Sequence, residues 1–265
     1  LMENDKAKRA SELLPLMAHG AVVSVFKVEQ IRYDNLSPFY TTSVNLIAGA
    51  ESTLSELLIK NAYAALLNGS LNAVRQQKKD LIQNMRLISE ILALSAVKSS
   101  QDLSMDKATF VRNVATGLLE SAVSNSLSKE VKLDEPATLI EGAVEGLSVG
   151  LVLGLVSNKV PLEGAGDIIK SATQSAAGTT VRMGKSLQLD SGRILDFALM
   201  SSRGSTSGIV RLIEDKRTGS AVKSSGAKLL ESASYGAAMG VISNLIPPGG
   251  DVDVNQQELV EFAEA

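Results

Sequence analysis

The sequence predicts a mainly α-helical protein with an internal tandem duplication and a small N-terminal β element. Hydrophobic residues make up 45% of the 265-residue chain but aromatic residues only 3%, so the core must consist of small aliphatic side chains that suit closely packed helices. From residue 52 onward the apolar positions recur at helical spacing. In the second half, related stretches occur twice in the same order, which indicates a duplication.

The first 50 residues form a separate N-terminal unit in this interpretation. Residues 1–18 predict a short amphipathic helix, and residues 21–48 predict a strand or hairpin because they contain a dense group of β-branched and aromatic side chains. His19, the single histidine, lies at the junction. We interpret it as a helix C-terminal residue, because a lone histidine in a chain without cysteine offers little for a metal site.

Residues 51–100 predict an antiparallel helical hairpin. Leu57, Leu58 and Leu66 lie on one face of the first helix. The pair Asn68-Gly69 predicts the end of that helix, since both residues tolerate the left-handed conformation found at helix C-termini. A break this short favours two antiparallel neighbouring helices.

Residues 101–265 predict the duplicated helical region, with copies at about 103–168 and 187–254. The stretch "TLIEGAVEGLSVGLVLGLVSNKVP" resembles "KLLESASYGAAMGVISNLIP", and in both a Ser-Asn pair and a proline predict the end of the helix. Asp106 and Asp190 occupy matching places upstream, where we expect each to cap a helix N-terminus.

Small residues at every fourth position form the candidate site. Residues four apart lie on one helix face, and each helical glycine costs about 0.5–1 kcal/mol relative to alanine, so the pattern predicts a packing seam that another helix backbone approaches. Whether the twin segment or another subunit fills this seam stays open. The seam consists of Gly142, Gly146, Gly150 and Gly154 in the first copy and Ser232, Gly236 and Gly240 in the second.

A membrane role is the alternative for the first glycine-bearing segment. A simple transmembrane helix needs about 20 apolar residues, and here Glu141 and Glu145 on one side and Lys159 on the other leave too short an uncharged run. A segment that inserts into lipid only after assembly, as in helical pore-formers, tolerates such flanking charges.

The residues do not predict a catalytic, cofactor or metal site. Without cysteine there is no thiolate ligand or nucleophile. The stretch "GTTVRMGKS" has one residue too many for a phosphate-binding loop and does not follow an apolar strand. The paired acids Asp134-Glu135 and Glu214-Asp215 occur in loop-like stretches and are interpreted as turn and surface residues, because a catalytic acid with a shifted pKa needs burial.

The charge distribution favours protein partners. A net charge of −3 with a pI near 5.4 argues against nucleic-acid binding. Residues 182–228 carry nine Lys/Arg against four Asp/Glu, whereas residues 251–265 carry five acids and no base. Head-to-tail contact between copies would bring these segments together, although such runs are more often solvated faces.

The sequence therefore predicts a non-enzymatic structural or assembly protein that forms a homo-oligomer or part of a larger particle. Self-association is the expected partnership, other protein subunits are a further option, and a cytoplasmic or particle-associated location is favoured without excluding secretion. A membrane-active, pore-former-like protein is the alternative, and an enzyme of unknown type comes third.

Overall fold

The computed structural model describes residues 54–76, 80–103, 105–128, 131, 135–215 and 218–246. Within these ranges the protein is helical and contains no strand. The helix expected at residues 1–18 and the β element expected at residues 21–48 lie outside the described residues. The helices are α1 (Leu54–Gln76), α2 (Leu81–Asp102), α3 (Lys107–Ser126), α4 (Pro136–Ser157), α5 (Gly166–Ser186), α6 (Ser191–Glu214) and α7 (Ser220–Leu245).

Two aspartates begin helices as the sequence predicts. The Asp106 carboxylate accepts a hydrogen bond from the backbone N–H of Thr109 at 2.8 Å, at the start of α3. Asp190 does the same for Arg193 at 2.9 Å, at the start of α6. Each bond satisfies one of the free N–H groups of a first helical turn, so both predicted caps are confirmed.

The predicted helix end at Asn68-Gly69 is wrong. The first helix continues to residue 76, and the next begins after Asp80, whose carboxylate accepts two backbone hydrogen bonds. Leu67 and Leu71, on either side of the pair, are fully buried. Burying both on one face requires the helix to continue, and this tertiary contribution outweighs the local preference of Asn-Gly for a helix end.

The two glycine-bearing helices end in the same way. The Asn158 side-chain amide donates to the carbonyl of Gly154 at 2.8 Å, and Asn158 caps α4. Asn244 donates to the carbonyl of Gly240 at 2.8 Å in the last turn of α7, before Pro247. The Ser-Asn ends are confirmed, and in both helices the asparagine side chain donates to the carbonyl four residues before it, close to the helix end.

The helices form two rows. Each helix packs mainly on the helix two places earlier, so α1, α3, α5 and α7 form one row and α2, α4 and α6 form the other. Consecutive helices make smaller contacts across the two rows. Helical repeat proteins use this arrangement, in which each unit buries its apolar face chiefly against its neighbours.

One hydrophobic cluster lies between the rows and draws on all seven helices. Its largest fully buried side chains include Tyr63 and Phe110, which meet edge to face with ring centroids 6.2 Å apart. Burial raises the pKa of Tyr63 to about 12, and its hydroxyl is within hydrogen-bonding distance of Ser95. Leu, Val, Ile and Ala form nearly all of the remaining core, as the low aromatic content predicts.

The helix starts recur with a fixed interval. The three helices α5, α6 and α7 begin 85, 84 and 84 residues after α2, α3 and α4, respectively. The row contacts recur with them, since α4 packs on α2 as α7 packs on α5.

Candidate functional site

The middle of the α4 glycine seam lies against the backbone of α2. A Cβ atom added to Gly146 would overlap the carbonyl oxygen of Arg86, and one added to Gly150 would overlap the carbonyl oxygen of Glu90. Overlap with a backbone atom cannot be relieved by a side-chain rotation, so only glycine allows this separation between the two helices.

Contact is looser at the start of the seam than at its end. A Cβ at Gly142 would lie 3.6 Å from the carbonyl oxygen of Ile82, which is ordinary van der Waals contact. At Gly154 the corresponding distance to the carbonyl oxygen of Leu94 is 2.8 Å. The two helices therefore approach most closely in the middle of the seam, at Gly146 and Gly150, and separate more toward its N-terminal than its C-terminal end.

The second copy of the seam lies against α5. A Cβ at Gly236 would overlap the carbonyl oxygen of Lys170, and one at Gly240 would overlap that of Gln174. The Ser232 hydroxyl lies beside the first residue of α5. In both copies the seam is thus filled by another helix of the same chain, α2 or α5, and not by the twin glycine-bearing helix.

The sequence pattern did not indicate two further contacts of this kind. On α3, Gly117 lies under the carbonyl oxygen of Lys60 in α1. On α6, Gly204 and Gly208 lie under carbonyl oxygens of α4. The four-residue spacing of Gly204 and Gly208 could have indicated the second contact, whereas an isolated glycine such as Gly117 gives no periodic signal.

Charged side chains connect α2, α4 and α6 on one flank of the seam. The Glu145 carboxylate accepts hydrogen bonds from Arg211 at 2.7 Å and from Arg86 at 3.3 Å. Arg211 also lies 3.5 Å from the carboxylate of Glu90. One arginine therefore joins two acids on two different helices, an arrangement that sequence spacing could not predict.

Burial makes these two acids weaker than usual. Desolvation raises the pKa of Glu90 and of Glu145, while the positive charge of Arg86 opposes the change. The neighbouring Glu141 carboxylate raises the pKa of Glu145 further, although Glu141 is itself paired with Arg203 at 3.1 Å. Proton binding to Glu90 and Glu145 is consequently favoured in the folded state.

A polar groove crosses the row of α1, α3, α5 and α7. Its volume is about 710 Å³, and charged, hydroxyl and amide side chains line most of it. It contains three cations and two carboxylates. These charged residues are Glu56, Lys60, Arg112, Glu120 and Arg182.

The described residues do not contain a cluster with the composition of a metal centre. Groups of three or more His, Cys, Asp or Glu side chains suitable for a metal ion do not occur in those ranges. The stretch 178–186 lies wholly inside α5, so its backbone N–H groups are used within the helix and cannot surround a phosphate. His19 lies outside the described residues.

Within the described ranges, α4 is the one helix long and apolar enough to cross a membrane. However, 78% of its most apolar stretch of 18 residues is buried inside the protein, which is also typical of a core helix.

No protein-family model, curated protein or solved structure matches the chain.

Replacing Gly146 by alanine should lower the free energy of unfolding by about 1–3 kcal/mol, because the new methyl group overlaps a backbone carbonyl. Gly69→Ala is the matched control, since nothing lies within 4 Å of its Cβ position. We expect that change to stabilise the protein by about 0.5–1 kcal/mol. Urea denaturation measures both, and equal effects of the two changes would contradict the close approach of α2 and α4.

Acidification should stabilise the wild type relative to Glu90→Gln. The folded state binds a proton on Glu90 at a higher pH than the unfolded chain does, because the folded pKa is raised. The contribution of Glu90 to the free energy of unfolding is therefore fully present below the ordinary pKa of a glutamate. It is lost as pH rises through the raised pKa of the folded state, and it returns as pH falls. Unfolding free energies of the two proteins, measured across that range, give the difference.

Asp106→Asn is the control with the opposite sign. The hydrogen bond from the Thr109 backbone lowers the pKa of Asp106, so its contribution is present above the ordinary carboxylate pKa and is lost as pH falls through the lowered value. If the difference in unfolding free energy from the wild type changed with pH in the same direction for both variants, Glu90 would not be desolvated in the folded protein.

Proposed function

We propose that this chain is a non-enzymatic assembly protein whose copies associate head to tail. The observation that carries the proposal is the pair of rows. In such a row each helix buries its apolar surface against its neighbours, so the terminal helices keep a face on which a further helix can pack. Among the described helices, each interior one has a neighbour on both sides within its row, whereas the helices at the two ends have one. A second copy that continues the rows would cover one end of the first copy, and a further copy would cover the other.

The α7 end of the first row carries exposed apolar side chains. Tyr235, Met239 and Ile242 are spaced along α7 at intervals of four and three residues, and their exposed fractions are 52%, 36% and 47%. Tyr235 also lies under the ammonium group of Lys170, 4.4 Å from the ring centre, which holds it against the edge of α5. Large apolar side chains exposed along one helix are typical of a contact surface.

The α1 end of the same row presents small residues. Ala65, Gly69 and Ala73 are exposed at four-residue spacing, and the Cβ position of Gly69 is open. This repeats the spacing of the seams that helices of this protein use against one another. A small-residue face permits another helix to approach closely.

The two ends are different, so a contact between them is heterologous. Heterologous contacts generate a ring if the rotation closes and an open filament if it does not. Other protein subunits with a suitable helix could dock on the same two ends.

We further propose that α5, α6 and α7 arose by tandem duplication of a three-helix unit that corresponds to α2, α3 and α4. The recurring interval between helix starts supports this, as do the matching asparagine bonds of Asn158 and Asn244. Duplication of a stacking unit extends a row without a new type of interface, which suits a protein that assembles by continuing the same stack.

Mixing two single variants should reconstitute one interface. Gly69→Leu blocks the α1 end and Ile242→Glu blocks the α7 end, so each variant alone should be monomeric by multi-angle light scattering. An equimolar mixture retains one compatible pair of ends, and we expect it to form a heterodimer and nothing larger. The wild type should grow in mass with concentration.

Val156→Glu is the control, because Val156 is similarly exposed at 43% but lies on α4, which has a neighbour on both sides within the other row. It should associate like the wild type. A monomeric wild type at all concentrations, or equal disruption by Val156→Glu, would overturn the proposal. Loss of association in Ile242→Glu alone, with Gly69→Leu unaffected, would indicate a symmetric contact between two α7 helices instead.

Membrane activity of α4 is the second candidate, and its length and hydropathy are what favour it. Insertion would require α4 to leave both α2 and α6, between which it is packed. We therefore expect dye release from anionic liposomes to stay at background between about pH 5 and pH 7.5. Release above background would favour the membrane-active alternative.

A further inference from the structure

The polar groove contains a cation that none of the described carboxylates neutralises. Lys60 pairs with Glu120 at 3.2 Å, and Arg112 pairs with Glu56 at 3.3 Å. Arg182 lies within ion-pair distance of none of the carboxylates that the structure describes, and its hydrogen-bond partners are neutral. The groove therefore has an excess of one positive charge at Arg182.

The Arg182 guanidinium is held in place by those neutral partners. It donates to the hydroxyl of Thr179 at 2.8 Å and to the side-chain oxygen of Asn244 at 3.3 Å. Asn244 is itself fixed by its bond to the carbonyl of Gly240. Desolvation lowers the pKa of Arg182 and the charge of Glu120 opposes this, yet a guanidinium stays charged in proteins.

Arg182 keeps further N–H donors for a ligand. A guanidinium has five N–H groups in a planar fork that matches a carboxylate or a phosphate. Because two partners already fix its plane, little side-chain entropy remains to be lost when an oxyanion binds.

Two more polar side chains of α5 face the groove without partners among the described residues. Gln174 and Ser171 line the groove, and neither side chain hydrogen-bonds to another described residue. From Ser171 to Arg182 the helix rises about 16 Å. A free ion would occupy only one end of that span, whereas an extended peptide covers it with about five residues at about 3.3 Å each.

We propose that this groove binds an extended acidic peptide segment. One peptide carboxylate pairs with Arg182, and the peptide backbone exchanges hydrogen bonds with Gln174 and Ser171, whose amide and hydroxyl groups both donate and accept. This site is distinct from the head-to-tail contact, because its lining includes neither the small residues of α1 around Gly69 nor the apolar side chains Tyr235, Met239 and Ile242 of α7.

A capped pentaglutamate peptide is the probe, and NMR titration of backbone amides up to about 5 mM peptide detects even weak binding. We expect saturable shifts within residues 171–182. Arg182→Gln should weaken the peptide affinity about tenfold, since it removes a charged hydrogen-bond partner. Arg193→Gln is the matched control, because Arg193 pairs with Asp190 at the start of α6, and it should leave the affinity unchanged.

Gln174→Glu is a second variant in case Arg182→Gln unfolds. It places a negative charge beside the peptide and should weaken binding, whereas Gln83→Glu on the exposed face of α2 should not. Absence of saturable shifts, or equal weakening in the control variants, would overturn the proposal. Inorganic phosphate that shifts the same signals as strongly as the peptide would also overturn it, and would identify a phosphate site.

Discussion

The close approach of helix backbones determines the rest of this structure. Where a glycine lies under a neighbouring carbonyl oxygen, as Gly150 lies under that of Glu90, the two helices touch through main-chain atoms. Each helical glycine costs about 0.5–1 kcal/mol in backbone entropy, and the denser van der Waals contact of a shorter separation offsets that cost. Weak Cα–H···O contacts between the two backbones add to this favourable contact energy.

This close packing explains how a core poor in aromatic residues can be sufficient. Small side chains bury little area each, but short separations leave few voids between them. Hydroxyl groups serve the same purpose as small residues when they bond to their own helix, as Ser205 does with the carbonyl of Ser201 and Thr180 with that of Ala177. Serine and threonine can then be buried without a partner on another helix.

Sequence reasoning predicted what depends on local spacing and missed what depends on tertiary contact. The caps at Asp106 and Asp190 and the end at Asn158 follow from residues within one or two turns. The four-residue spacing identified the face of α4, but a face does not specify its neighbour, and nothing in the spacing indicated α2. The error at Asn68-Gly69 has the same cause, because burial of the leucines on either side outweighed a local end signal.

The register of the rows requires a second kind of interaction. A face of small residues is nearly uniform along its length, so two such helices could slide by one turn with little change in contact. Ion pairs remove this freedom, since a shift of one turn, about 5.4 Å, would separate Glu145 from both Arg86 and Arg211. Lys60 and Glu120 have the same effect between α1 and α3. Glycine therefore sets the distance between helices, and partly buried charges set their alignment, which makes the carboxylates more valuable for specificity than for stability.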